Sequence, residues 1–263
     1  MKKLFTFVAI AASLSVIFYS CDKDNNGKDN KQKDNGKTTE AIITIDGDFT
    51  DWANMDPAKY AIAKNNANSP WDAVREIRCC ADADFVYYYI KFDQDVLDEL
   101  STSPTETLPI RLCINTDNEF TSGYASYFLQ SYDFIIEGGL FADGKWDKYD
   151  GEFHQRTYVE SAGKETWLSL LKPNNNLVMG MGAKNEYEIL LSRDIFNNAV
   201  QSSPDPKPMG DVFQTGIRFY TTGVADEGHP NGKWDELSNM PNSSIDDGDG
   251  NGWGNLMEVT TIK

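Results

Sequence analysis

Short runs of alternating apolar and polar residues recur from about residue 41 to the end of the chain. Alternation with a period of two is typical of half-buried β-strands, because successive side chains point to opposite faces. Clusters of Gly, Asn, Asp and Pro, which favour turns, separate the runs. The pattern predicts about ten strands, at residues 41–45, 74–81, 85–92, 108–115, 127–137, 152–160, 177–181, 186–191, 212–221 and 255–262.

One segment interrupts this series with the pattern of a short helix. Ser192 can cap a helix over residues 193–200, and the three prolines of residues 204–208 prevent its continuation. Many short strands with a single short helix predict an all-β fold, a β-sandwich. In the strand at 85–92, we expect Val86, Tyr88, Ile90 and Phe92 to share one face.

The first twenty residues have the pattern of a bacterial lipoprotein signal peptide. Two lysines precede an apolar run that is short for a membrane span, and small Ser20 comes before Cys21. We expect cleavage before Cys21 and a lipid anchor on that cysteine. The alternative is an ordinary secretory peptide or a short helix.

Residues 21–40 are almost entirely polar and are predicted to form a flexible tether, and residues 41–263 a single domain. The charged sequence Asp22-Lys23-Asp24 resembles the start of outer-membrane lipoproteins that glycan-foraging bacteria display at the cell surface. This resemblance implies an outer-membrane location at the cell surface, with the membrane contacted through the lipid only.

The chain has a net charge of −17, and residues 41–263 alone carry −19, because the predicted signal peptide contributes +2 and the tether is neutral. Phosphate binding needs a basic surface, so nucleic acid is an unfavourable partner. Neutral ligands and divalent cations suit an acidic domain better.

Three cysteines remain once Cys21 is lipidated, so they cannot all pair. Cys79 and Cys80 are adjacent on a predicted strand and should face opposite sides. At most one of them can meet Cys113 in a disulfide, and three buried free thiols are the alternative. Metal binding by these cysteines is disfavoured, since they have neither a Cys-x-x-Cys motif nor a nearby His.

An ordered series of motifs resembles the family 9 carbohydrate-binding modules and their relatives. The series begins with Ile45-Asp46-Gly47-Asp48-Phe49-Thr50-Asp51-Trp52 and the aromatic strand 85–92. It continues with Ile114-Asn115-Thr116-Asp117-Asn118-Glu119, Thr121-Ser122-Gly123-Tyr124, Tyr132-Asp133-Phe134-Ile135-Ile136-Glu137-Gly138, Tyr187-Glu188-Ile189 and Trp253-Gly254-Asn255-Leu256.

The resemblance spans nearly the whole domain. It implies a jelly-roll-like β-sandwich with its first and last strands paired, a structural calcium ion and a sugar site built from aromatic side chains. It also implies that Trp52 packs in the core. The chain is expected to depart from these modules in lacking an attached catalytic domain. The family's sugar-binding tryptophans also have no counterpart that a motif identifies here.

Six tryptophans and twelve tyrosines are many for an acidic domain of this size. An indole can stack on the apolar face of a sugar ring while nearby carboxylates and amides bind its hydroxyls. Two tryptophans follow Asp-Gly or Asn-Gly turns, where exposure is expected. Candidate ligand-binding residues are therefore Trp146, Asp147, Trp234, Asp235 and Trp71. Alternatively, these tryptophans fold back over the ends of the sandwich as lids on its core.

Two acidic loops are candidate calcium sites. Asp247, Asp249 and Asn251 fit the spacing of a calcium loop, with Glu258 at the twelfth position. The flanking sequence is not helical, so we expect Glu258 to face outward from the last strand. A solvated hairpin turn is the alternative. Asp117, Asn118 and Glu119 form a second, weaker candidate, which rests mainly on the resemblance.

Catalysis has little support in the sequence. His154 and His229 have no nucleophile motif near them, and zinc-protease, P-loop and Gly-x-Ser-x-Gly patterns are absent. A glycosidase carboxylate pair is not excluded by 41 acidic residues, but none is indicated.

We therefore expect a lipid-anchored, non-catalytic protein that binds polysaccharide or oligosaccharide by aromatic stacking, beside outer-membrane glycan uptake proteins. The alternative hypotheses are an adhesin or structural envelope protein that binds a protein partner, and an envelope hydrolase.

Overall fold

The computed structural model describes residues 41–65, 73–102, 108–119, 123–124, 128–142, 145–146, 154–161, 164–169, 178–196, 208–222, 234–242 and 254–263. All of them lie in one compact unit, residues 40–263. The predicted signal peptide, the predicted lipidation site Cys21 and the predicted tether fall outside the described residues.

Strands dominate this part of the chain, and the helices are short. The helices are α1 (Thr50–Asn54), a 3₁₀ turn (Pro57–Lys59) and α2 (Gln94–Thr102). The strands are β1 (Ala61–Lys64), β2 (Val74–Ala81), β3 (Phe85–Phe92), β4 (Pro109–Asn115), β5 (Phe134–Gly139), β6 (Phe141–Ala142), β7 (Lys145–Trp146), β8 (His154–Ser161), β9 (Lys164–Ser169), β10 (Val178–Ala183), β11 (Glu186–Ser192), β12 (Val212–Thr222), β13 (Trp234–Met240) and β14 (Met257–Thr260).

The strands form two antiparallel sheets and a small hairpin. The first sheet has the order β1-β2-β3-β11-β10, and the second has the order β13-β12-β4-β5-β8-β9. β14 pairs with the beginning of β12, and β13 pairs with its end. β6 pairs only with β7 in the described chain. This architecture confirms the predicted all-β, sandwich-like fold.

The main core lies between the two sheets. Val86, Tyr88, Ile90 and Phe92 share the inner face of β3 as predicted, and all four are buried in this core. Rings from the two sheets meet there, since Phe92 contacts Phe219 edge to face at 5.6 Å between centroids. Burial of apolar side chains from both sheets provides the main stabilisation of such a sandwich.

A second apolar cluster covers the outer face of the first sheet. Residues 41–60, which we call the covering segment, place Ile43 and Trp52 against Tyr87, Tyr89 and Leu190 of that face. Trp52 is only 1% exposed, so its predicted core position is confirmed. The predicted strand at 41–45 is wrong, because these residues adopt irregular structure and pack on the sheet instead of pairing with it.

A third cluster covers the outer face of the second sheet. It contains Cys113, Phe128, Tyr132, Ile135 and Leu256. Gly216 on β12 leaves room for this layer, because a Cβ atom at this position would lie 2.5 Å from the ring of Phe128. The sheet therefore has no space for a larger side chain there.

The three described cysteines are free and buried, one in each cluster. Cys79 faces the main core and Cys80 the covering segment, as expected for neighbours on a strand. The alternative of free thiols is thus confirmed, and a disulfide to Cys113 is wrong, because the sheets hold the side chains in separate clusters.

Other parts of the structure differ from the expectations. β1, β9 and β13 were not predicted as strands, and α1 and α2 are helices additional to the predicted one. Residues 194–196 are helical, and the Ser192 hydroxyl accepts a hydrogen bond from the Asp194 N–H at 3.3 Å. The last strand pairs with β12, not with the first strand, since β1 lies in the other sheet.

Candidate ligand-binding site

Trp146 lies at the edge of the sandwich on the β6–β7 hairpin. Its indole packs against the rings of Phe92, Phe141 and Tyr187, with centroid distances of 5.3, 5.1 and 5.3 Å. Its Nε1–H donates a hydrogen bond to the Lys184 carbonyl oxygen at 2.8 Å. The indole is only partly exposed, so it packs against the core, as in the lid alternative, and is held in one orientation.

Gly182 on β10 makes this position possible. A Cβ atom at residue 182 would lie 2.6 Å from two ring atoms of Trp146 and 2.5 Å from the Tyr187 ring. The glycine therefore provides the space that the indole fills beside the sheet.

Glu188 links β11 to the covering segment. Its carboxyl is buried, and its Oε1 accepts hydrogen bonds from the Asp46 and Gly47 N–H groups, each at 2.8 Å. Burial raises the pKa of Glu188 to about 7, although the Gly47 and Asp46 N–H groups act in the opposite direction. Two motifs that are distant in sequence, Ile45–Trp52 and Tyr187–Ile189, thus meet at this carboxyl.

Arg78 provides a second link to the covering segment. Its guanidinium lies 4.9 Å from the ring centroid of Tyr60 and 5.0 Å from that of Tyr89. It also donates a hydrogen bond to the Trp52 carbonyl oxygen at 2.8 Å. The segment is therefore fixed by a buried carboxyl and by an arginine that makes cation–π contacts.

A hollow of about 350 Å³ opens between the covering segment and the β10–β11 turn. We call it the turn hollow. Apolar and polar side chains contribute to its wall, which is formed by Gly47, Asp48, Phe49, Thr50, Ala53, Ala183, Lys184 and Glu186. Lys184 belongs to this wall and also accepts the Trp146 hydrogen bond, so the hollow and the indole meet at the same turn.

Neighbouring groups hold the two carboxylates of the turn hollow. Asp48 Oδ1 accepts hydrogen bonds from the N–H and the hydroxyl of Thr50. These bonds lower the pKa of Asp48, the hydroxyl having the larger effect. Glu186 Oε1 accepts a hydrogen bond from the Tyr89 hydroxyl. The hollow therefore contains oriented acceptor groups beside an aromatic ring.

A second hollow, of about 450 Å³, lies near the end of the chain. Its wall combines apolar and charged side chains from the covering segment with one from the C-terminus: Ile42, Asp51, Asn54, Met55, Asp56, Lys59 and Ile262. Phe49 faces the turn hollow but does not line this one, which has aliphatic instead of aromatic apolar walls.

The predicted metal residues Asp117 and Asn118 lie in the turn after β4. Asn118 has a left-handed backbone with φ of 60°, and its N–H donates to Asn115 Oδ1 at 2.9 Å. Asn118 Oδ1, Ser131 Oγ and Gln214 Oε1 are buried, and none has a hydrogen-bond partner in the described part of the chain. Gln214 pairs with Asn115 in the β12–β4 register, and Asn115 Nδ2 donates to the Glu119 and Ser131 carbonyl oxygens, each at 3.1 Å.

Most other candidate residues lie wholly or partly outside the described residues. Trp234 and Asp235 begin β13 opposite Thr222 and Thr221, and their side chains lie outside the described residues. Glu258 is exposed on β14, as predicted. The remaining candidates lie outside the described residues: Trp71, Asp147, Asp247, Asp249 and Asn251.

Sequence reasoning missed the residues of the turn hollow. Asp48 and Phe49 were read only as part of a family signature, and the strand motif around Glu188 was read in the same way. Pairing the two motifs would have indicated this site, but nothing in either motif shows that they meet. Lys184 lies in the two-residue turn between β10 and β11, and Glu186 follows that turn; neither residue gave a ligand signal.

Within the described ranges, no three His, Cys, Asp or Glu side chains form a group able to hold a metal ion. None of the helices in those ranges combines the length and the apolar character needed to cross a bilayer.

No protein family model matches this chain, and no curated protein matches it.

Proposed function

We propose that this chain is a lipid-anchored, non-catalytic glycan-binding protein on the outer-membrane surface. It would bind polysaccharide or oligosaccharide beside glycan uptake proteins. The motif series resembling family 9 carbohydrate-binding modules supports this proposal, and so does the β-sandwich, which is the fold that the resemblance implies. A fold alone hosts many functions, so the argument depends on the site.

The observation that carries the proposal is the fixed, partly exposed indole of Trp146. Three aromatic rings support it, and a hydrogen bond to Lys184 sets its orientation. An aromatic ring that is already immobilised loses little side-chain entropy on binding, so more of the stacking energy appears as affinity. The exposed part of the indole is available to the apolar face of a sugar ring.

The first experiment is a screen of soluble residues 38–263 against plant, host and microbial polysaccharides, followed by calorimetry with the best ligand. Trp146→Ala should weaken binding by about tenfold or more. Trp146→Phe keeps a ring on the core and should retain part of the affinity. Trp52→Phe is the matched control, because this buried tryptophan is 1% exposed and should leave affinity unchanged.

A screen in which no polysaccharide binds would refute the proposed function. The protein-binding alternative would then be favoured. β10 is an edge strand of the first sheet in the described chain and contains no charged residue. Such an edge can accept a strand from a partner, and pull-down from envelope fractions would be the next measurement.

The proposal includes a structural calcium ion at the turn of residues 115–119. The buried oxygens of Asn118, Ser131 and Gln214 support it, because calcium prefers oxygen ligands and buried polar atoms normally have partners. The carboxylate of Asp117 is in the same turn. The candidates Asp247, Asp249 and Asn251 remain a second proposed site.

Thermal unfolding with calcium and with chelator tests the ion. A bound ion predicts a lower midpoint in chelator, since ligand binding stabilises only the folded state. Asn118→Gly keeps the left-handed backbone and removes the side-chain oxygen, so it should abolish the calcium response if the ion lies here. Asp249→Asn gives the corresponding test for the other loop. An unchanged midpoint in chelator would refute the calcium proposal.

A further inference from the structure

We infer that the turn hollow binds one neutral sugar ring, as a contact separate from the Trp146 indole. This inference rests on the proposed glycan-binding function and names a part of the site that stacking on tryptophan does not include. The hollow is lined by Phe49, Asp48, Thr50, Lys184 and Glu186, with Gly47, Ala53 and Ala183 between them.

The size and the wall of the turn hollow suit a small polyhydroxylated ligand. Its volume of about 350 Å³ lies at the lower end of the range for small-molecule pockets. Phe49 supplies an aromatic surface, and it is held edge to face against Tyr89 at 5.8 Å between ring centroids. Small Ala53, Ala183 and Gly47 leave the approach to this ring open.

Polar atoms in the hollow have hydrogen-bonding capacity left for a ligand. Asp48 uses Oδ1 for Thr50, and Glu186 uses Oε1 for Tyr89. Three further polar atoms of the hollow make no hydrogen bond to another described residue: Asp48 Oδ2, Glu186 Oε2 and Lys184 Nζ. The Lys184 side chain is exposed. Two acceptors and one donor group around an aromatic ring match the hydroxyls of a sugar.

The charges of the hollow select against acidic ligands. The carboxylates of Asp48 and Glu186 outnumber the single ammonium of Lys184. The bonds from Thr50 lower the pKa of Asp48, so it remains ionised at neutral pH. An acidic sugar would meet net repulsion here, whereas a neutral sugar can accept from Lys184 and donate to the carboxylates.

The hollow is pre-organised on the sheet. Glu188 accepts a hydrogen bond from the Gly47 N–H, and the Tyr89 hydroxyl on the neighbouring strand donates one to Glu186. Groups that are already oriented lose less conformational entropy when a ligand binds. The covering segment and the β10–β11 turn therefore supply a fixed binding surface.

The test uses the best glycan from the screen and measures affinity by calorimetry. Asp48→Asn removes a charge and one acceptor. Lys184→Asn replaces the long, charged ammonium donor by a short neutral amide, at a residue whose φ of 57° Asn tolerates. Each should weaken binding by about tenfold. Asp98→Asn is the matched control, an exposed carboxyl on α2 that should leave affinity unchanged. Thermal midpoints confirm that all variants fold.

The outcomes separate this inference from the proposed function. If Trp146→Ala weakens binding while Asp48→Asn and Lys184→Asn leave it unchanged, the protein binds glycans but not in the turn hollow. Tighter binding of uronic-acid glycans than of their neutral counterparts would also overturn the inference. A wild-type protein that binds no glycan at all would overturn both statements. A selective loss in Asp48→Asn and Lys184→Asn supports the inference.

Discussion

Replacement of Glu188 by Gln should make folding stability less dependent on pH. The side chain is fully buried and accepts two N–H bonds from the covering segment. Its pKa is raised from 4.5 to about 7, mainly by burial. A difference of that size corresponds to roughly 3 kcal/mol between the two protonation states, as an upper bound. Gln keeps the carbonyl acceptor and cannot ionise.

The sign follows from the direction of the pKa shift. Because the folded protein holds the proton more tightly than the unfolded chain, the contribution is fully present below pH 4.5 and is lost as pH rises through 7. Wild type and Glu188→Gln should therefore have similar free energies of unfolding near pH 4.5. Above about pH 8, the variant should be more stable by up to ~3 kcal/mol.

Chemical unfolding of residues 38–263 at a series of pH values measures this difference. Other carboxylates titrate in both proteins and cancel in the comparison. Glu258→Gln, at an exposed position on β14, is the control and should change stability by less than about 0.5 kcal/mol. A difference between wild type and Glu188→Gln that stays constant with pH, or a variant that is less stable at alkaline pH, would refute the reasoning.

Further predictions concern packing, a buried arginine and the thiols. Gly216→Ala should lower the unfolding free energy in urea by about 1–3 kcal/mol, because its Cβ would overlap the apolar layer above β12; normal stability would mean that this layer can move aside. Arg193→Ala should lower the free energy of unfolding by about 3–5 kcal/mol, measured by thermal unfolding, because four hydrogen bonds from the guanidinium are lost. A decrease below about 1 kcal/mol would contradict this expectation. Thiol reagents should label Cys79, Cys80 and Cys113 only after denaturation, since burial raises the pKa of Cys80 and of Cys113 to about 12 and raises the pKa of Cys79 well above its usual value. Labelling of the native protein would show that a cluster opens.

The sequence predicts long central strands well and edge elements poorly. β2 and β3 have the predicted bounds because each has a row of apolar residues on its inner face and the turn at residues 82–84 separates them. β9 was missed, since its charged and polar residues lack the alternating pattern of a half-buried strand. α2 follows Asp93, whose Oδ1 accepts from the Asp95 and Val96 N–H groups, so its N-cap was readable but was not recognised.

The candidate site depends on contacts between distant residues, which no local pattern contains. The turn before Trp146 was recognised, but Phe92 and Tyr187 determine how far its ring is buried. Likewise, residues 41–45 are apolar although they do not pair as a strand. They cover the outer face of the first sheet, where Ile43 packs. Periodicity in the sequence indicates which side chains are buried, whereas the tertiary fold determines which residues they pack against.

The hydrogen bonds that the Asp46 and Gly47 N–H groups donate to Glu188 also bear on the order of folding. They join residues 142 and 141 positions apart, so the segment that is synthesised first acquires its partner only after β11 has been made. Until then, the outer face that its apolar side chains cover lacks the part contributed by β11, including Leu190. Contacts of such long sequence separation slow folding, because the loop-closure entropy is lost before the contacts compensate for it. We therefore expect the covering segment to complete its native contacts only after β11 has joined the sheet.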